Sequence, residues 1–283
     1  MKYAFIEGKR QQYPIPVLCR VLGVSRSGYY KWRGRGPSAR ERRRADTLAA
    51  IRRAFEASRR TYGSPRIERE LRSTGRCHSR RFISLLMRRA GLRARAATRR
   101  RPRSAASARH TQIGNVLNRC FRADRPDQVW AADFTYIPTR EGWLFLAVVL
   151  DLASRRIVGW SMRGSPDGEL TLNALQMAFE QRCRPRGVLH HSDRGAQYSS
   201  GAYLDRIRQY GMRPSFSRIG ECWDNAVVES FFHTLKTERV PTTYASRQAA
   251  RRDIFDYIEV WYNHRRRHPT IGYLSPADYE ARL

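Results

Sequence analysis

His190–Lys236 reads HHSDRGAQYSS over residues 190–200 and SRIGECWDNAVVESFFHTLK over residues 217–236. Asp193 and Glu229 within it are separated by 35 residues, and Asp133, in QVWAADFTYI, lies 59 residues before Asp193. Phosphodiester chemistry needs an aligned nucleophile and positive charge at the phosphate, and a pair of divalent ions supplies both. Hard ions such as Mg²⁺ take oxygen ligands and keep several waters, so a few carboxylates from distant segments suffice. Taken singly, each carboxylate also has an ordinary role: a turn Asp, a strand-end cap, a solvated Glu beside an apolar stripe. Local context has to separate the two.

Around Asp133, Val129 and Ala131 alternate with Trp130, Ala132 and Phe134, the pattern of a half-buried strand. Val188 and Leu189 lead to Asp193 as a strand ending in a loop. Glu229 falls on a helix expected to open at Asp224 or Asn225 as N-cap. Val228, Phe231, Phe232 and Leu235 form its core stripe at i, i+3, i+4 and i+7. Glu229, His233 and Lys236 occupy the neighbouring stripe, which suits a site at the rim of a core.

WAADFTYI, HHSDRGAQY and WDNAVVESFFHTLKTE resemble the three signature blocks of DDE transposases and retroviral-type integrases. The best match is the second-frame (OrfB) transposase of the IS3 family of bacterial insertion sequences, over nearly the whole chain. The resemblance implies a DNA transposase with an RNase-H-like core. It carries over Asp133, Asp193 and Glu229 as ligands of two Mg²⁺ ions, for which Mn²⁺ can substitute, and Lys236 as their basic partner. Two other readings stay open: a DNA-binding regulator that occupies element ends without cutting, and an RNase-H-like nuclease.

The chain of 283 residues carries a net charge of +30, unevenly placed. Residues 1–110 hold 31 Lys and Arg against 6 Asp and Glu; residues 111–283 hold 24 against 19. A basic front beside a nearly balanced rear fits a polyanion-binding module joined to an enzyme. Most of the cations are Arg, which suits bidentate phosphate contacts. The five cysteines are scattered, with no C-x-x-C pair, which argues for reduced thiols in a cytoplasmic protein and against zinc; a DNA transposase is further expected to associate with the bacterial nucleoid. The His-His-Cys-Cys zinc module of retroviral integrases has no counterpart at the front. No apolar run approaches the ~20 residues needed to span a bilayer.

In chain order, residues 1–36 are expected to form a small helical unit resembling a helix-turn-helix, with Leu18, Val21 and Leu22 inward. Residues 45–92 are expected to form a helix-turn-helix domain, with Ser64 and Ser79 as caps and Arg80 and Arg81 opening the recognition helix. Residues 93–123, with Arg99, Arg100 and Arg101, read as a basic linker. Residues 124–240 give the order βββαβαβα of an α/β, RNase-H-like core with a mixed five-stranded sheet. Residues 241–283 read as a helical extension packing on that core, with one amphipathic helix over 246–263. Arg265, Arg266 and Arg267 are assigned to phosphate, and His191 and Asn225 to positioning DNA. The expected partners are double-stranded DNA, further copies of the chain, and an upstream-frame (OrfA) protein or fusion.

Overall fold

The computed structural model describes residues 1–95 and 113–283; Arg99, Arg100 and Arg101 lie outside the described residues. At the front, α1 (Lys2–Lys9), α2 (Ile15–Val21) and α3 (Arg26–Arg33) close around Ile6, Leu18, Cys19 and Tyr29. Ser25 caps α3 by accepting from the Gly28 amide. Val21, expected inward, is 77% exposed. Here α1, which the sequence reading did not foresee, supplies Ile6 to the small core.

The next helix, α4 (Ala39–Ala57), starts well before the expected boundary. ARERRRAD has no apolar stripe to announce a helix, but Ser38 and Glu41 form a reciprocal capping box, and Ala and Arg propagate it. It is followed by α5 (Ser64–Ser73) and α6 (Arg80–Arg89). Ser79 caps α6 as expected, whereas α5 is preceded by Gly63 without a side-chain cap, and Ser64 is its first helical residue.

The sheet is built from β1 (Val129–Thr139), β2 (Gly142–Asp151), β3 (Ile157–Arg163), β4 (Leu189–Ser192) and β5 (Arg213–Phe216), in the order β3-β2-β1-β4-β5. The first three form an antiparallel meander; β4 pairs parallel to both β1 and β5. One face is covered by α7 (Gly168–Gln181) and α8 (Gly201–Gln209), which enclose Trp130, Ala132, Ala147, Val149 and Val158. Gly159 makes that approach possible: a Cβ there would lie 2.2 Å from the Ala174 carbonyl oxygen. The mixed five-stranded sheet with flanking helices is the expected core.

The other face takes α9 (Ala226–Glu238), α10 (Arg247–Phe255) and a π-helical continuation over Asp256–Tyr262. Ile254, Tyr257, Ile258 and Trp261 are buried as expected, although the single helix foreseen over 246–263 changes pitch at Asp256. A short α11 (Pro276–Glu280), capped by Ser275, ends the chain. This apolar cluster also contains Ile51, Phe55, Ile67, Leu71, Ile83 and Leu86 of α4, α5 and α6. Arg59 pairs with Asp256 at 2.6 Å and Arg267 with Glu70 at 2.6 Å across the same junction.

Candidate active site

Asp133 and Asp193 flank the point where β1 and β4 part. β4 runs beside β1 only from Val129 to Ala131, paired with Leu189 to His191. Asp133 stands on β1 just beyond that pairing, and Asp193 is the first residue after β4. Strand alternation puts Asp133 on the face of Ala131 and Ile137, the face that α9 covers. α9 buries Val228, Phe231, Phe232 and Leu235, leaving Glu229 half-buried at the border of that stripe.

Electrostatics ties the three together. Asp133 is pushed well above the usual carboxylate range, first by desolvation and then by the charge of Asp193, with a further contribution from Glu229. Asp193 is raised by burial, against the bond it accepts from the Gly195 amide. Glu229 is raised by burial and then by Asp193. Lys236 acts in the other direction on Asp133; its ammonium donates to Thr135 Oγ1 at 2.7 Å and lies 4.8 Å from the centre of the Tyr136 ring.

Carboxylates from a strand, a loop and a helix, with raised proton affinities, are hard oxygen donors short of positive charge, which suits a divalent cation such as Mg²⁺. Among the described residues no three His, Cys, Asp or Glu side chains already stand as a metal cage. Asp133 accepts from the Phe134 amide at 2.8 Å and Asp193 from the Gly195 amide at 2.9 Å, in each case through one carboxylate oxygen.

Two residues expected to position DNA are internal braces instead. His191 is fully buried: Nε2 donates to the Asp224 carbonyl at 3.0 Å and Nδ1 accepts from Ser215 Oγ at 2.9 Å. Desolvation pushes its pKa down to about 4, which keeps the ring neutral. Its neighbour His190, also buried, lies 3.1 Å from the Tyr203 hydroxyl. Asn225 is 5% exposed and donates to the Ala132 carbonyl at 3.1 Å; it precedes α9 without capping it.

In the sequence Asp224 offers itself only as a helix cap. It is buried and accepts bonds from Arg218, Arg119 and Asn115, with Arg218 the largest influence holding its carboxyl well below the usual range. Its signal was its place in Trp-Asp-Asn, one residue from the start of the Glu229 helix. Tyr136 and Trp143, both half-exposed beside Lys236 or its neighbours, were also missed.

Of the arginines, Arg80 and Arg81 are exposed at the start of α6, and Arg265 is exposed. Arg266 is 4% exposed and forms a bidentate pair with Glu238, at 2.7 Å from Nη2, so its guanidinium serves the core rather than phosphate. Arg267 is likewise engaged, donating to Glu70, Ser73 and the Tyr273 carbonyl.

An integrase core domain matches residues 123–222, a second integrase core domain matches 229–283, and an HTH-like domain matches 41–102. The chain is 43% identical over 283 residues to the transposase InsF for insertion sequence IS3A of Escherichia coli (strain K12), covering 99% of this chain and 98% of that protein. It is 40% identical over 265 residues to an uncharacterised 31 kDa protein of insertion element IS600 from Shigella sonnei, covering 93% and 97%. Among solved structures, the simian T-cell lymphotropic virus intasome in complex with the PP2A regulatory subunit B56 gamma aligns at 14% identity. That alignment covers 75% of this chain and 70% of that chain, with a TM-score of 0.47.

Proposed function

The chain belongs to the transposases of the IS3 family of insertion sequences, and on that premise we propose that Asp133, Asp193 and Glu229 hold the divalent ions with which it cuts and rejoins DNA. Its activity is DNA transposition, a polynucleotidyl transfer. What supports the site assignment is that Asp193, just after β4, raises the proton affinity of both Asp133 on β1 and Glu229 on α9, all three being raised by burial as well. Two Mg²⁺ ions, or Mn²⁺ in their place, would supply positive charge at the attacking and leaving oxygens of the phosphodiester.

The remaining work falls to the chain's own groups. Asp133 is set by the central strand, and Asp193 sits in the loop after β4, where its carboxylate accepts from the Gly195 amide. Glu229 arrives on a helix held to β1 through Asn225. Lys236, seven residues later on the same helix, presents its ammonium close to β1, where it neutralises a phosphate beside the cut. Exposed Arg80 and Arg81 meet the DNA backbone on the helix-turn-helix side, and of the adjacent Arg265, Arg266 and Arg267 it is the exposed Arg265 that can do so. Double-stranded element ends and target DNA are the substrates, held by several copies of the chain, with an upstream-frame OrfA protein as a further partner.

The deciding experiment compares wild type with Asp193→Ala. Wild type should bind Mn²⁺ with two sites per chain, measured calorimetrically, and nick DNA carrying the element's end. The variant should lose at least one site and all cleavage, while holding the same DNA within a few-fold. Metal-dependent cleavage by the variant at the wild-type rate would remove Asp193 from the site.

A further inference from the structure

On the β1–β2 hairpin, Tyr136 pairs in register with Phe145 and Pro138 with Trp143, so Tyr136 and Trp143 are diagonal neighbours on one face. Their rings meet edge to face with centroids 5.0 Å apart. Both remain about half exposed, at 55% and 50%, which is a large apolar area to leave in water at the end of a sheet. The rim is mostly cationic. Lys236 stands 4.8 Å from the Tyr136 ring centre, Arg140 is exposed in the hairpin turn, and Arg247 donates to the Trp143 carbonyl at 3.2 Å; Glu141 is the acidic neighbour.

Tyr136 lies on the opposite face of β1 from Asp133, and Lys236 bridges the two faces at the strand's open side: it donates to Thr135, on the Asp133 face, at 2.7 Å and stands 4.8 Å from the Tyr136 ring centre. We infer that Tyr136 and Trp143 form a stacking platform for an unpaired DNA base within a few nucleotides of the cut, with its phosphate held by the Lys236 ammonium. A base is flat, aromatic and bound to an anion, and the platform offers an aromatic surface beside cations. The inference rests on the proposed metal site, because only that site fixes where the DNA strand must run.

The test uses the full chain without divalent ions and two DNA duplexes of the same sequence. One is blunt, and the other ends in a short unpaired overhang carrying 2-aminopurine, whose fluorescence falls on stacking. Wild type should quench the overhang. Trp143→Ala and Tyr136→Ala should abolish most of the quench and weaken the overhang duplex about 10-fold. They should leave the blunt duplex within a few-fold, and Trp143→Phe should retain the quench. In wild type, a 5-iodouracil at the same position should crosslink to Trp143, which gives the answer without any substitution. Unchanged quench in both alanine variants, or equal weakening of both duplexes, overturns the platform. So does a shift of Trp143→Ala to a smaller sedimenting species with the quench intact, which would make the pair a contact between copies. No arm requires cleavage, so a protein that quenches but never cuts counts against the metal site alone.

Discussion

The side-chain amide of Asn225 donates to the backbone carbonyl of Ala132 across 93 positions of sequence, at 3.1 Å. Ala132 is the first β1 residue beyond the pairing with β4, and the amide stands in for the missing strand. The bond therefore fixes the start of the Glu229 helix one residue from Asp133. Asn225→Ala should destabilise the protein by about 1–2 kcal/mol, since it leaves a buried carbonyl without its donor. Asn225→Asp should cost more at neutral pH: a carboxylate cannot donate to Ala132, and it adds negative charge beside Asp133. Urea denaturation of the three proteins gives the ranking; equal midpoints would show that the bond carries nothing.

A second expectation concerns acid. Asp133, Asp193 and Glu229 all have folded-state pKa values above their ordinary ones, so in that window the folded chain binds more protons than the unfolded chain. Stability from these groups is therefore highest at and below the ordinary carboxylate value and is lost as pH rises toward the raised values. Asp133→Asn should raise the melting temperature in EDTA at pH 7, with the gain shrinking as pH falls to about 4. Mg²⁺ should raise the melting temperature of wild type more than that of the variant. A variant that melts lower than wild type in EDTA would contradict the charge repulsion inferred here.

Asp224 runs the other way. Its carboxyl is held low chiefly by Arg218, so its contribution is present above the ordinary value and is lost as pH falls through the depressed one. Asp224→Ala strips buried acceptors from Arg218, Arg119 and Asn115. Because the two arginines are partly exposed and regain water, the loss should be about 1.5–3 kcal/mol. Chemical denaturation at pH 7 measures it, and a loss well under 0.5 kcal/mol would mean that solvent replaces the whole network.

Arginines of one sequence type should separate into two classes. Arg80→Ala with Arg81→Ala should reduce DNA affinity and flatten the salt dependence by about 0.9 in log–log slope per lost phosphate contact, leaving stability near wild type. Arg266→Ala should do the reverse, costing about 3–5 kcal/mol because buried Glu238 loses its partner, while the salt slope stays the same. Filter binding across a salt series, alongside thermal melts, tests both; a flattened slope in Arg266→Ala would return that residue to the DNA surface.

The core strands and helices, and the three carboxylates proposed for the site, were legible in the sequence, because the signals involved are local. Period-two alternation marks β1 around Asp133, a strand running into a loop marks Asp193, and the stripe Val228, Phe231, Phe232 and Leu235 orients Glu229 to its border. The resemblance to the family supplied the roles. What the sequence left open was which polar side chains face water, since that depends on what lies opposite after folding. Arg265, Arg266 and Arg267 are adjacent and alike in sequence, yet only the tertiary structure sends Arg266 to Glu238, 28 positions earlier, and Arg267 to Glu70, 197 positions earlier. His191 and Asn225 look like groups held ready for DNA, but a buried donor must find an acceptor, and the fold gives them the Asp224 and Ala132 carbonyls. Tyr136 and Trp143 read as ordinary strand residues; the end of the sheet leaves them in solvent, and Lys236 on a separate helix brings a cation to them.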